Sequence, residues 1–391
     1  MATTLQTLLT RINSVDDNTS LKDLLLLTKD LELYGATKRV YDSAGTLPLD
    51  SAFVGSMLMT QQNTFYTLND SGGLVWTQVY QAPLADSIGP SFVPIILPWT
   101  FGGTISGYTS GGGTAPTTGL NTIDKFSFTS DGNATDVGDL TIARTWTGAG
   151  QSSSVSGYTS GGYSTTDTKV IEKFPFATDE NAVSVGNLTN FMFAGSSHHT
   201  QTYGYHGGGT WSAGATSYSN IDQISFATDG DATTVGNLST ARYPSTGQSS
   251  LTDGYSMNPV IRDKFPFASG GTAVDLGNLP TLRSGLPGAG QSSGTDGYYV
   301  VMKNDYTTSF IDKYPFASDT FASSIGTMTV LRYYTVGQSS TTHGYTTGGI
   351  GPTLNPSNAN IVDKFSFVSE GNATDVGDVT VNRFRSSGQQ Y

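Results

Sequence analysis

The chain has 391 residues, 48 of them glycine and none cysteine, and its 19 Lys plus Arg against 31 Asp plus Glu leave a formal net charge of −12. Without cysteine, disulfides and thiolate metal sites are excluded, and an acidic chain with no Lys/Arg cluster is a poor match for nucleic acid. Few Lys, Glu and Leu beyond the first 35 residues, and many β-branched and aromatic residues between Gly and Asn turns, predict a mainly β body.

Residues 1–35 read as N-terminal helices. Leu5, Leu8, Leu9 and Ile12 recur at helical spacing. Ser20 caps a second helix, with Asp23 three residues on, then Leu21, Leu24, Leu25, Leu27 and Leu31, and Gly35 ends it. These leucines pack either within the chain or in a homo-oligomeric stalk. MATTLQTLL lacks a basic leader ahead of an apolar core, so no signal peptide is expected. The longest apolar stretches, LLLL at 24–27 and VPIILPW at 93–99, are too short to span a bilayer, and no membrane partner is expected.

Residues 36–95 read as a small β module. Its phrase NTFYTLNDSGGLVWTQV places an aromatic strand, an Asn/Asp-Gly turn and a Trp-containing strand in succession. Phe65, Tyr66, Asn69, Asp70, Gly72, Gly73 and Trp76 carry the match, which resembles a small β module near the N-termini of bacteriophage virion and tail proteins. The resemblance implies that residues 1–95 anchor the chain to other virion proteins.

From residue 96 to 391 the sequence repeats. Gly-Tyr recurs at Tyr108, Tyr158, Tyr205, Tyr255, Tyr298 and Tyr345, spaced 50, 47, 50, 43 and 47 residues apart. A paired anchor follows each: Phe126/Phe128, Phe174/Phe176, Ile224/Phe226, Phe265/Phe267, Tyr314/Phe316 and Phe365/Phe367. Within a unit, GQSS is a short polar strand and GYTSGG a second, whose glycines permit close backbone approach. IDKFSF at 123–128 alternates as a third, SDGN at 130–133 is a hairpin turn, and ATDVGDL at 134–140 is a fourth. Four short strands at a period of 40 to 50 residues predict a six-bladed β-propeller, preceded by a small α + β anchor domain. The order Arg, Gly-Tyr-x-x-Gly-Gly, apolar-acidic-x-aromatic strand, final strand resembles the kelch-type repeat. It departs from kelch in lacking a fourth-strand Trp, where Val137, Val185, Val235, Leu276, Ile325 and Val376 stand instead.

The first unit lacks its own GQSS strand. Either 97–103 (LPWTFGG) or 385–391 (RSSGQQY) supplies it, and the second is the simpler closure of the ring. Up-down strand order then puts the long, dissimilar loops 113–121, 163–169, 209–219, 303–309 and 350–360 on one face.

Candidate chemistry falls into repeated and unrepeated residues. The carboxylates Asp124, Glu172, Asp222, Asp263, Asp312 and Asp363, and the guanidinium groups of Arg144, Arg242, Arg283, Arg332 and Arg383, recur unit by unit and so predict blade-to-blade pairing, not catalysis. Gln151, Gln248, Gln291, Gln338 and Gln389, on the innermost strands, are candidate channel-lining residues. The third unit is irregular: NFMFAGSSHHTQTYGYHGGGTW loses its Arg and gathers His198, His199, Tyr203, His206 and Trp211, a candidate ligand-binding cluster. No metal site is expected there, because adjacent His198 and His199 point to opposite faces of a strand. SDGNATDVG resembles the sialidase Asp-box in outline but lacks its Trp. No acid pair for glycoside hydrolysis can be picked, so no catalytic residue and no cofactor is expected.

The expected function is that of a phage virion structural protein, a tail fibre or appendage located on the virion. Its propeller would bind a host-surface glycan or protein. A capsid or tail decoration protein and a polysaccharide-degrading enzyme are the alternatives.

Overall fold

In the computed structural model the repeated phrase becomes six antiparallel four-stranded blades set in a ring, a six-bladed β-propeller. The structure describes residues 102–391 except 116–117, 148, 165–166, 212–215, 244, 259–260, 279–287, 304, 321–323 and 353–359, together with the backbone of four strands nearer the N-terminus. The chain divides into two compact units, Met1–Ile95 and Ile96–Tyr391. In the first, Lys38–Tyr41 runs parallel to Met57–Thr60, which pairs antiparallel with Thr64–Asn69, and that strand with Val75–Gln81. The expected aromatic and Trp-containing strands therefore form a hairpin, with Leu68 opposite Trp76. The helices predicted for 1–35 lie outside the described residues.

Blade 2 shows the common plan: Ala149–Ser152 nearest the axis, then Ser156–Tyr163, Asp167–Pro175 and Val183–Asn187 outward. Blade 1 is closed by Ser387–Gln390, which pairs antiparallel with Ser106–Ser110 and sets Gln389 opposite Tyr108. Of the competing segment 97–103, only Gly102 and Gly103 are described; Gly103 bridges Ser340 of blade 6 and donates its N–H to Ser339 O at 2.8 Å. The ring is thus joined within a sheet, which removes the exposed edges an open stack would leave.

The polar–apolar alternation of the third strand does not translate into one wet face. Ile123 and Asp124, successive residues, are both fully buried. Each blade is covered on both sides by its neighbours, so both faces of its middle strands are interior. Ile123 packs with Phe174, Phe176 and Ala182 of blade 2, whereas Asp124 faces Arg383, which follows blade 6.

Aromatic contact fills these interfaces. The tyrosine of each Gly-Tyr stacks on the second aromatic of the next blade's pair: Tyr108 on Phe176, Tyr158 on Phe226, Tyr205 on Phe267, Tyr255 on Phe316, Tyr298 on Phe367 and Tyr345 on Phe128. Ring centroids lie 4.5 to 4.9 Å apart at interplanar angles of 22 to 28°. Outside blade 3, where Ile224 stands, the first aromatic of the pair lies over its own blade's glycine, so a Cβ on Gly107, Gly157, Gly254, Gly297 or Gly344 would collide with the ring of Phe126, Phe174, Phe265, Tyr314 or Phe365. Val137, Val185, Val235, Leu276, Ile325 and Val376 pack against these clusters from the fourth strands.

Tyr298 is fully buried against Phe365 and Phe367. We expect Tyr298→Ala to destabilise the protein by about 3–5 kcal/mol, the range for emptying an aromatic core site. Val368→Ala, at 84% exposure, should change stability by less than about 0.5 kcal/mol. Urea denaturation of both variants measures the contrast.

Candidate functional site

Six inner strands must approach one axis, and small residues let them. Gly150, Ser197, Gly247, Gly290, Gly337 and Gly388 hold equivalent places on these strands. A Cβ on Gly247, Gly290, Gly337, Gly388 or Gly150 would overlap the carbonyl of Ser197, Gly247, Gly290, Gly337 or Gly388 respectively. Backbone therefore touches backbone around the axis. Ser197, the sole member with a side chain, donates its hydroxyl to Gly150 O.

Two residues further along, side chains tie inner strands to their neighbours at five of the six junctions. His199 N donates to Ser249 Oγ (3.2 Å), Ser249 N to Ser292 Oγ (2.9 Å) and Ser292 N to Ser339 Oγ (3.0 Å). Ser339 N donates to Gln390 Oε1 (3.1 Å), and Gln390 N to Ser152 Oγ (2.9 Å).

The five glutamines stand between these two levels, and their amides turn into the blade interfaces. Gln151 Nε2 donates to Tyr205 O at 3.2 Å, Gln248 to Tyr298 O at 3.0 Å and Gln291 to Tyr345 O at 2.9 Å. Gln338 donates to Tyr108 O and Gln389 to Tyr158 O, both at 2.9 Å. Every one is buried. They clamp each blade to the tyrosine segment of the next. His198 takes the sixth place, opposite Tyr205. Its Nδ1 lies 3.0 Å from Gln248 O, its Nε2 2.9 Å from Ser196 Oγ, and its ring meets Phe265 edge-on.

The predicted cluster of the third blade is dispersed by the fold. His198 and His206 are fully buried, and His206 Nδ1 lies 3.2 Å from Ser160 Oγ in blade 2. His199 lines the axial cavity. Tyr203 and Trp211 begin and end one strand, Tyr203–Trp211, and so sit on opposite faces of the ring on the order of 25 Å apart. Burial lowers the pKa of His198 and His206 to about 4 and that of His199 to about 3; for His206 the Asp222 carboxylate opposes the shift.

The recurring acids and arginines meet across blade interfaces: Arg144 with Glu172, Arg242 with Asp263 (2.5 Å), Arg332 with Asp363 (2.6 Å) and Arg383 with Asp124 (2.9 Å). Arg283 lies outside the described residues. Burial pulls the Arg144 and Arg383 guanidinium groups below their usual range and pushes the Asp124 carboxyl up, and each partner's charge works against the shift. Where blade 3 meets Met192 in place of an arginine, Asp222 accepts from Thr189 N (2.8 Å), Asn220 Nδ2 (2.8 Å) and Thr234 Oγ1 (2.9 Å).

The axis holds an open, funnel-like cavity whose lining runs from its rim through the glycine level to Ser249, Ser292, Ser339 and Gln390. Its rim was not anticipated from the sequence. Trp146, Tyr334 and Arg385 meet there, from the connectors that lead into blades 2, 6 and 1. The Arg385 guanidinium carbon lies 3.3 Å from the Trp146 ring centre and 4.4 Å from that of Tyr334, and the two rings meet edge-on at 5.2 Å. All three residues have left-handed backbone, with φ of 46, 55 and 58°. A relay of backbone hydrogen bonds fixes the rim: Arg385 N to Tyr334 O (2.9 Å), Thr147 N to Arg385 O (3.0 Å), Ala194 N to Thr147 O (3.3 Å) and Ser245 N to Ala194 O (3.1 Å). Among the described funnel residues there is no Asp, Glu or Lys, and Arg385 carries the one formal charge. No group of three or more His, Cys, Asp or Glu placed to hold a metal occurs among the described residues. Compared with protein-family models and with curated proteins, the chain matches none.

Two outcomes follow from the buried charges. A histidine whose folded pKa is about 4, against an ordinary value near 6.5, takes up protons more readily when unfolded, so its stabilising contribution is lost as pH falls from about 6.5 towards 4. His198→Gln, which restores the residue found in the other five blades, should lessen the fall in urea stability between pH 7 and pH 5 by about 2 kcal/mol. Separately, Arg332→Met should cost about 3–5 kcal/mol by stranding the Asp363 carboxylate, and the double change with Asp363→Leu should recover most of it. Urea midpoints of the three proteins at pH 7 decide the point.

Proposed function

We propose that this chain is a virion structural protein of a bacterial virus, anchored by its first 95 residues, whose kelch-type propeller binds a glycan on the host surface. The observation that carries the binding part is the funnel. It is a concave opening at the ring axis, lined mostly by Gly, Ser and Thr with Trp146 and Tyr334 at its rim, on the same end as the loops that join second to third strands. Shallow recognition of polar ligands uses Tyr, Trp, Ser and Gly in this way, because aromatic rings give contact area at little entropic cost and small polar groups adapt. The virion part is supported by the aromatic-turn-Trp hairpin of residues 64–81.

A binding role is favoured over a hydrolytic one by where the acids lie. Asp124, Glu172, Asp263 and Asp363 are engaged at blade interfaces with arginines, and the described funnel residues include no carboxylate. Glycoside hydrolysis ordinarily needs two carboxyl groups facing one bond.

The full chain, applied to an array of bacterial surface polysaccharides and to intact cells carrying those that score, should give saturable binding that the same soluble polysaccharide displaces. Binding to no polysaccharide and to no cell would remove the receptor role and leave a decoration protein as the better account.

A further inference from the structure

We propose that Arg385, Trp146 and Tyr334 at the funnel rim form the binding site for a carboxylate-bearing sugar, so that the glycan taken by this propeller is an acidic one. The inference rests on the receptor reading above and deepens it by naming the residues and the ligand class.

Charge points to it first. The chain carries a net charge of −12, which repels anions in general. Yet the described funnel residues contain no acid, and the one cation among them is Arg385. Among the described funnel residues an anion meets a single attractive charge and no repulsive one.

Hydrogen bonding points to it next. Arg144, Arg242, Arg332 and Arg383 each have a carboxylate across a blade interface. Arg385 has none among the described residues, and its Nε and Nη1 have no hydrogen-bond partner although they are shielded from solvent. What holds Arg385 is the Trp146 face at 3.3 Å and the Tyr334 ring at 4.4 Å. Stacking of this kind uses the flat face of the guanidinium and, beside a side-chain hydrogen bond to Tyr334, leaves its Nε and Nη1 N–H groups unspent. Nε–H and an Nη2 N–H run parallel, as do N–H groups of Nη1 and Nη2, so a carboxylate would engage one of the two unpartnered nitrogens together with Nη2.

The rings supply the rest of a sugar site. An indole and a phenol beside the guanidinium offer apolar faces for the C–H side of a pyranose, while Thr147 and Ser386 line the same opening for its hydroxyl groups. The arrangement is held ready before any ligand arrives. Arg385 is fixed by its own N–H to Tyr334 O, and its carbonyl accepts both Thr147 N and Thr147 Oγ1 at 3.0 Å. Left-handed backbone at three bulky rim residues is unfavourable by itself and is of the kind that gathers at functional sites.

The test uses the full chain and a panel of oligosaccharides containing galacturonate, glucuronate or N-acetylneuraminate, with maltotriose and inorganic phosphate as neutral and non-sugar probes. Binding is read by calorimetry and by tryptophan fluorescence. At least one acidic oligosaccharide should saturate the protein at least tenfold more tightly than maltotriose. Arg385→Gln and Trp146→Ala should each weaken it at least tenfold, and Arg385→Lys, which keeps the charge and loses the fork, at least threefold. Unchanged urea midpoints show that the variants fold; if Trp146→Ala fails that check, Trp146→Leu replaces it. No binding by any acidic oligosaccharide, undiminished binding in Arg385→Gln, or equal displacement by phosphate would each overturn the assignment. If polysaccharides on the array bind and Arg385→Gln leaves them untouched, this assignment falls while the receptor reading stands. If nothing binds on the array either, both fall.

Discussion

The ring exists because one blade's tyrosine lies flat on the next blade's phenylalanine, six times over. A four-stranded sheet of this composition has two apolar faces and no helix to cover either, so it is unstable alone. Stacking at 4.5 to 4.9 Å sets the spacing between sheets, and the polar links can form only at that spacing. Gln151 reaches Tyr205 O, and Arg332 reaches Asp363, because the tyrosine segment and the third strand have already been placed by the rings. Each stack contributes about 0.5–1.5 kcal/mol beyond the area it buries. The buried ion pairs add definition of position more than net stability.

Blade 3 shows what happens when one member of this set changes. Gln becomes His198, the interface Arg becomes Met192, and the third-strand Lys becomes Gln223. Each loss is absorbed locally. His198 keeps an inter-blade contact at Gln248 O, Asp222 turns to Thr189 and Asn220, and Gln223 bonds to the Tyr205 hydroxyl at 3.0 Å. The neighbouring turn, ASGG at 268–271, has no acid for a lysine to meet, whereas Lys125, Lys173, Lys264, Lys313 and Lys364 each pair with an acid of the following blade. At the junction of blades 3 and 4 the Gln, the Lys and the acid it would meet have thus all changed, and the aromatic stack of Tyr205 on Phe267 has not.

Most of the architecture was legible because it is written repeatedly. Six Gly-Tyr anchors announced the blades, the recurrence of the Arg and Asp residues marked them as interface groups, and the half-phrase SSGQQ made 385–391 the simpler of two candidates for the strand that closes blade 1, which the register settles. Side-chain direction was less legible. Glutamines on the innermost strands suggested a lined channel; Gln248 and Gln291 do border the axial cavity, but all five amides turn into the blade interfaces, and it is Gly150 and its equivalents that meet backbone to backbone around the axis. The rim was hidden for a different reason. Trp146, Ala194, Tyr334 and Arg385 stand two residues after Arg144, Met192, Arg332 and Arg383, and they share only a left-handed φ, which no common residue type announces. The available signal was variability itself: one position that changes in every connector within an otherwise constant phrase.

Closing blade 1 with Ser387–Gln390 has a consequence for the order of events in folding. Gln389 pairs with Tyr108 across 281 residues of chain, whereas the strands within blade 2 pair across fewer than twenty. At equilibrium this separation costs little, since each doubling of a closed loop adds only about 0.6 kcal/mol. In time it costs more, because distant pairings form slowly and late. During synthesis, Ser106–Ser110 emerges early and waits, with one edge open, until nearly three hundred further residues have been added. Its sequence is SGYTS, short and almost without aliphatic side chains. A strand so poor in apolar residues is a weak template for pairing with another chain, which suits an edge that must stay unpaired for as long as this one does.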